Sequence, residues 1–411
     1  MMLERLKTDA RIILGDAVEQ LKKLPKGCAD TVITSPPYWN LRDYQVKGQL
    51  GLEENPRDYI RNMVKVFRGV RRVLKDDGTL WMNMGDNYIH RTVQGQSYRR
   101  DRADAMPKGL PKGLPKGFKV KDKALMPHRL AIALQEDGWY VRQDIVWHKQ
   151  QPQPETVNDR PTTAHEYLFL LSKSPQYDYN KDAIAEACSE KTELRSSAAN
   201  ALRSREERDA AMVGLTPKMR MVSPAGWATN SEARTAVEHS AVRLTRGRAN
   251  ESFMLGTSGS VTTRNKRSVW PVYTDRMDLK LCTACMRVYD TKEFGALKFR
   301  GELVDGAHVT HITCRCGRTD AWYSHFAAFG GSWIEPCVLA GCPPGGTVLD
   351  PFAGTCTTLG VAVAHGRKGI GIELNPYSIA LAPRRMEQVM RRLHEAPAPV
   401  SRDAQQVLDL F

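Results

Sequence analysis

Three groups of residues have types and spacings that could do chemistry. The first, Thr34-Ser35-Pro36-Pro37-Tyr38-Trp39, closes a short apolar run that begins at Asp30. Two prolines fix the backbone and remove two N–H donors, leaving carbonyl oxygens and the Ser35 hydroxyl as acceptors and Tyr38 as an aromatic platform. Acceptors suit an amine. Holding the hydrogens of an exocyclic amine lets its delocalised lone pair pyramidalise and attack an electrophile in line, and an aromatic ring such as Tyr38 offers a face on which a planar substrate can stack. The plain alternative for Pro-Pro after a strand is a rigid turn.

The second group is VLDPFAGTCTT, Val348 to Thr358, an apolar strand with an acidic end followed by a glycine-containing turn. It places Asp350, Pro351, Phe352, Gly354 and Thr355 at the carboxyl end of a strand, where open α/β sheets bind ligands. A second strand ends in Glu373, and 373 − 350 = 23, close to the roughly 20-residue offset at which an acid meets ribose hydroxyls. NAD would need G-x-G-x-x-G after Asp350 and ATP a G-x-x-x-x-G-K-[ST] loop, and neither is present. A nucleoside cofactor without a pyrophosphate remains, of which S-adenosylmethionine is the commonest. Tight-turn glycines in an α/β core are the competing reading.

The third group is Cys282 and Cys285 in C-x-x-C and Cys314 and Cys316 in C-x-C, with 28 residues between the pairs. Four thiolates in two knuckles predict a closed structural zinc site, with His308 and His311 as substitute ligands and reduced, unpaired thiols as the alternative. Four cysteines leave no open position for catalytic zinc.

These groups need a scaffold. Arg11 to Leu14 reads as a strand ending at Gly15 and Asp16, Asp30 to Thr34 as another, and Thr79 to Gly85 as a third. Ile60, Val64, Phe67, Val70 and Val73 recur at helical steps over residues 57–74. The repeat PKGLPKGLPKG, Pro107 to Gly117, has no apolar face, so residues 91–123 read as a mobile basic loop. The pattern resumes with a helix from His128 to Glu136 and strands at Tyr140 to Trp147 and Glu166 to Leu171. After a polar stretch it returns to strands at Thr347 to Asp350 and Gly369 to Glu373. The expected fold is α/β: a doubly wound, mostly parallel sheet with the middle inserted. Length supports this, since 411 residues allow two or three domains, and 41% hydrophobic residues exclude disorder of the whole chain.

Several of these segments resemble the beta group of DNA amino-methyltransferases, the S-adenosylmethionine enzymes of restriction-modification systems and phages. They are TSPPYWNLRDY, GTLWMNMGDNY at Gly78 to Tyr88, the run from Gly138 to Ser174, HFAAF, VLDPFAGTCTT and GIGIELN. The catalytic motif comes first and the cofactor motif last, 315 residues apart from Ser35 to Asp350. The resemblance covers residues 10–180 and 321–383. It implies that Ser35, Pro36, Pro37 and Tyr38 position the target amine and base. It also implies that Asp350, Pro351, Phe352, Gly354 and Thr355 line the methionine side of the cofactor, that Glu373 takes the ribose, and that Phe326 and Ala327 close the pocket. Asp16 matches a position at the adenine. Trp147 and Lys149 match a segment near the target base, although Trp147 reads equally well as a core residue. Cys356 departs from the pattern, standing where the family usually has a second glycine. Ser at the head of S-P-P-Y resembles cytosine-N4 enzymes, whereas adenine-N6 enzymes usually carry Asp or Asn there.

The domains expected are a catalytic half at 1–180, a target-recognition region at 181–280, a zinc module at 281–320, a cofactor half at 321–395 and a flexible tail at 396–411. The formal charge of +14 fits double-stranded DNA as partner. Arginines of the recognition region, among them Arg195, Arg205, Arg243 and Arg264, would divide between phosphates and guanine edges. No run is apolar enough for a membrane span and the first residues carry charges, so a cytoplasmic protein is expected. A homodimer is compatible with the sequence, and the ending Gln406 to Phe411 resembles peptides that dock on the bacterial sliding clamp. A silent zinc-containing DNA-binding protein is the competing function. A cytosine-C5 enzyme, with Pro336-Cys337 as its nucleophile pair, has the wrong motif order.

Overall fold

The computed structural model describes residues 9–89, 117–188, 263–272, 279–290, 298–304, 307–324 and 330–395. The 107–117 repeat except its last glycine, most of the recognition region, Phe326, Ala327 and the 396–411 tail lie outside the described residues.

In chain order the first half runs β1 (Ala10–Leu14), α1 (Ala17–Lys23), β2 (Ala29–Thr34), α2 (Pro56–Val73), β3 (Leu74–Met84), α3 (Met126–Glu136), β4 (Tyr140–Lys149) and β5 (His165–Ser172). Two short pieces, β6 (Glu186–Ala187) and β7 (Thr263–Arg264), pair antiparallel within a separate compact unit, residues 184–266, where Arg264 lies 3.5 Å from Glu186. β8 (Val269–Val272) follows, then β9 (Leu279–Cys282), β10 (Val288–Asp290), β11 (Lys298–Val304), β12 (Ala307–Thr313) and β13 (Trp322–Tyr323). The chain closes with α4 (Gly331–Gly341), β14 (Thr347–Asp350), α5 (Thr357–Ala364), β15 (Lys368–Glu373) and α6 (Pro376–Glu395).

Eight strands form one sheet in the order β1-β15-β14-β2-β3-β5-β4-β8. Pairing from β1 to β3 is parallel, β3/β5 and β5/β4 are antiparallel, and β8 adds to β4 in parallel. The sheet is therefore mixed rather than parallel throughout. β8 lies inside the stretch expected to read DNA, yet its backbone completes the sheet edge.

Alternation along the strands sends residues to two faces. Val32, Leu80, Met82, Ile370 and Ile372 pack with Leu21, Phe67 and Leu130 of α1, α2 and α3. On the other face Gly341 of α4 sits so close to β2 and β3 that a Cβ there would lie 2.5 Å from Thr79 Oγ1 and 2.7 Å from Trp81 Nε1. Gly371 plays the same part between β15 and the cofactor turn, where a Cβ would lie 2.9 Å from that of Ala353. Gly369, where a Cβ would lie 2.8 Å from Leu359 Cγ, and Gly371 thus serve close packing, while Gly366 takes a left-handed turn at φ 70°, which accounts for a glycine-rich segment with no phosphate loop.

Cys337 is buried in α4 and donates to the Trp333 carbonyl at 3.2 Å, a core thiol rather than an exposed nucleophile. Trp147 is 7% exposed and its ring lies 5.5 Å from that of Trp333, which favours the core reading of this residue. Among the described residues no helix is long and apolar enough to cross a membrane.

Candidate active site

The sheet order brings the two motif strands side by side. β2 and β14 pair in parallel, with Val348 opposite Thr31 and Leu349 opposite Val32. From β2 the sheet continues to β3, and from β14 to β15 on the opposite side, so the chain leaves this pair in opposite directions. That is the switch point at which an α/β sheet opens a crevice at its carboxyl edge. Thr34 Oγ1 donates to Asp350 Oδ1 at 2.7 Å, fastening the end of one motif strand to the end of the other.

Asp350 is fully buried, and its oxygens also accept the Thr358 hydroxyl at 2.8 Å and the Phe352 N–H at 3.1 Å. Burial pushes its pKa up to about 6, against the lowering effect of these three donors. Its side chain therefore ties the turn to both strands, with Pro351 and Thr355 buried beside it and Phe352 and Gly354 partly exposed. Gly354 and Cys356 both adopt left-handed backbone, φ 53° and 63°, which explains why glycine suits position 356. The Cys356 thiol is itself fully buried among Ala353, Leu359, Ala382 and Met386, so it packs inward.

Glu373 ends β15 with Oε2 accepting Gly354 N–H and Oε1 accepting Asn375 N–H, both at 2.7 Å. Burial raises its pKa. Two N–H bonds occupy only part of the roughly four lone-pair sites of a carboxylate, leaving acceptor capacity for a pair of hydroxyls. Asp16 caps α1 by accepting Glu19 N–H at 3.0 Å, and the preceding Gly15 N–H reaches the Glu373 carbonyl at 2.9 Å. This puts Asp16 at the same edge as Glu373.

On the other side of the crevice the Pro37 carbonyl accepts the Tyr59 hydroxyl at 2.8 Å. One of the acceptors expected for the amine is thus used to hold the loop. The Ser35 hydroxyl can donate its one hydrogen to Asn83 Oδ1 at 3.2 Å or to Tyr38 Oη at 3.3 Å, leaving its lone pairs to accept. The single hydrogen of Tyr38 Oη has two acceptors to choose between, Asn83 Oδ1 and Glu166 Oε2, each at 2.7 Å, and Lys149 Nζ lies 2.6 Å from Glu166 Oε1. Burial, followed by the negative charge of Glu166, raises the Tyr38 pKa and keeps the phenol neutral. The ring is seated against bare backbone, since a Cβ on Gly85 would lie 2.7 Å from Tyr38 Cε2.

The four cysteines also converge. Their Sγ atoms all lie within 4.8 Å of one another, with Cys282–Cys316 at 3.7 Å and Cys285–Cys314 at 3.6 Å. A tetrahedral zinc with Zn–S near 2.3 Å needs S–S edges of about 3.8 Å. Burial opposes ionisation of Cys314, but the Cys316 N–H, the Tyr289 hydroxyl and the neighbouring thiols outweigh it and bring its pKa to about 6. β9, β10 and β13 form a three-stranded sheet around these residues. It packs on α6, where Tyr323 Oη lies 2.8 Å from Ser378 Oγ and accepts Asn375 Nδ2 at 3.3 Å.

Matches to known proteins agree with this geometry. The model of the DNA methylase family that comprises N6 and N4 methyltransferases matches residues 29–384. The chain belongs to that family. Type II methyltransferase M.SmaI of Serratia marcescens is 35% identical over 95% of this chain and 94% of its own length. Type II methyltransferase M.Cfr9I of Citrobacter freundii is 33% identical over 92% and 88%. The solved structure of the PvuII DNA methyltransferase, described as cytosine-N4-specific, has 15% identity and a TM-score of 0.49 over 95% of this chain and 94% of that one. The protein is thus a DNA amino-methyltransferase of restriction-modification type, and a catalytically silent scaffold is set aside.

Asn83, Glu166, Tyr59 and Tyr323, which hydrogen-bond to Tyr38, Pro37 and Asn375 in the candidate site, were not singled out by the sequence. Only Glu166 left a trace, as a charge near the start of the otherwise apolar run from Tyr167 to Leu171. Gly85→Ala is expected to push the Tyr38 ring out of place and lower turnover at least about tenfold, with the fold retained. Steady-state methylation beside thermal melting checks this, and unchanged turnover would count against Gly85 as the seat of the ring.

Proposed function

We propose that the methyltransferase moves a methyl group from S-adenosylmethionine to the exocyclic N4 of cytosine in double-stranded DNA. The observation that carries this reading is the crevice itself, with Ser35 at the head of S-P-P-Y on one wall and the Asp350/Glu373 pair on the other, joined by the Thr34–Asp350 bond. The donor set fits the cofactor. Glu373 keeps acceptor capacity for the two ribose hydroxyls, and Asp350 supplies negative charge on the methionine side. When bound, the cofactor supplies an electrophilic sulfonium methyl.

The chain's own residues do the rest. Ser35 Oγ and the Pro36 carbonyl accept the amine hydrogens, and the Tyr38 ring stacks the extruded base, a contact of about 1 to 3 kcal/mol. The Tyr59 hydroxyl on the Pro37 carbonyl and the two prolines keep this loop from relaxing. The 181–280 region reads the sequence, and the four cysteines hold a structural zinc that replaces a core in their module.

Nucleosides from DNA methylated in vitro should contain N4-methylcytosine by mass spectrometry, and N6-methyladenine in its place would overturn the choice of base. Purified protein should carry one zinc per chain, and Cys314→Ser should lose metal and thermal stability together; a folded, active chain without zinc would reject the site. A pH dependence follows from Asp350. Its pKa near 6 leaves it mostly protonated at pH 5, and a nearby positive sulfur favours the carboxylate. Binding then releases a proton, and affinity for S-adenosylmethionine rises from pH 5 to 7. Affinity for neutral-sulfur S-adenosylhomocysteine should rise less steeply in calorimetry, and equal slopes would contradict the placement of Asp350.

A further inference from the structure

We propose that Glu166 is the proton acceptor of the methyl transfer, reached from the target nitrogen through Ser35 and Tyr38. Attack by an exocyclic amine forms the N–C bond while the C–S bond breaks and its electron pair stays on sulfur. The nitrogen is left with one proton too many, and a neutral methylated base forms only when that proton departs. The described wall of the site offers one continuous route. Ser35 Oγ donates to Tyr38 Oη at 3.3 Å, and Tyr38 donates to Glu166 Oε2 at 2.7 Å, both in the same direction.

The balance closes. Ser35 Oγ takes the nitrogen's proton as its own passes to Tyr38 Oη, and the phenolic proton passes to the Glu166 carboxylate. Ser35 and Tyr38 end as they began, and Glu166 ends as the acid. Asn83 Oδ1, 3.2 and 2.7 Å from the same two oxygens, is the alternative acceptor for each hydroxyl's single hydrogen, but a neutral carboxamide is too weak a base to keep a proton, so the route runs past it to Glu166. Lys149 Nζ, 2.6 Å from the other oxygen of Glu166, meets the carboxylate as a hydrogen-bond donor and lies off the route. The Glu166 side chain keeps 14% exposure, enough to return the proton to water between turnovers. None of this depends on which base is methylated. The inference rests only on transfer to an amine, so a failed relay leaves the N4 assignment untouched, and a product of N6-methyladenine leaves the relay untouched.

Glu166→Gln decides the matter, because glutamine keeps an oxygen for the Tyr38 hydroxyl but cannot take up a proton. Single-turnover methylation by the full chain on DNA should fall at least about tenfold, while dissociation constants for S-adenosylhomocysteine and DNA stay within twofold. Tyr38→Phe keeps the stacking ring and cuts the route, so it should fall similarly, and the double variant should be no slower than the slower single one. A wild-type rate in Glu166→Gln would overturn the proposal and leave Glu166 as a positioning residue for the Tyr38 ring. If Glu166→Gln does not fold, by melting and S-adenosylhomocysteine binding, Tyr38→Phe carries the test alone, and an unchanged single-turnover rate in that variant overturns the relay.

Discussion

The hydrogen bond from Thr34 to Asp350 joins residues 316 positions apart and sets the distance between the ends of the two motif strands. Both ends are fully buried, so the bond is shielded from competing water, and breaking either end would leave a polar group without a partner in the core. Parallel pairing of β2 and β14 alone would allow the two loops that follow to splay. The threonine hydroxyl removes that freedom, and the remaining Asp350 acceptors take Phe352 and Thr358, so one carboxyl group orders the turn, the helix behind it and the catalytic strand. A buried acid with a pKa near 6 is costly to keep charged, and a site built for a cationic ligand is a setting in which that cost is offset on binding.

From this joint the division of labour follows. The cofactor wall is rigid, made of a strand end, a turn with two left-handed residues and an acid whose oxygens are already half engaged by backbone. The base wall is made from side-chain hydrogen bonds, with Tyr38 held by Asn83, Glu166 and the bare backbone of Gly85. Hydroxyl and amide groups can exchange partners without moving the backbone, which suits a wall that must admit and release a base at each turnover. The cysteine module supports the rigid wall. Tyr323 reaches from β13 to Asn375 and Ser378 just beyond Glu373, so ordering of that small sheet bears on the ribose end of the crevice.

The sequence disclosed those parts of the architecture that are written in short-range pattern. The strands around Thr34, Asp350 and Glu373 were legible because each is an apolar run ended by a polar residue and a turn, and α2 because its buried residues recur at helical steps. The cysteine pairs were legible as spacing. The antiparallel turn of β5 against β3 and the addition of β8 were not, because direction and edge pairing depend on how distant segments dock rather than on local periodicity. Tyr38 and Glu166 are 128 residues apart, and nothing local to either records that β5 lies beside β3 with Met84 opposite Tyr167.

That register is also what makes the base wall possible. Asn83 pairs with Leu168 and Met84 with Tyr167, so Glu166 falls one residue beyond the paired end of β3, where that strand turns away at Gly85 and the Tyr38 ring fills the gap. Across β4, Glu166 is opposite Trp147, and Lys149 comes two residues later on the same face of that strand, within reach of the carboxylate. A slip of one residue between β3 and β5 would send Glu166 to the other face of the sheet and leave the Tyr38 hydroxyl with Asn83 alone. The apolar alternation of β5, Leu168 and Leu170 on one face and Phe169 and Leu171 on the other, holds the register against that slip. The packing of two hydrophobic faces, with no catalytic group in it, thereby sets where the acid of the site stands.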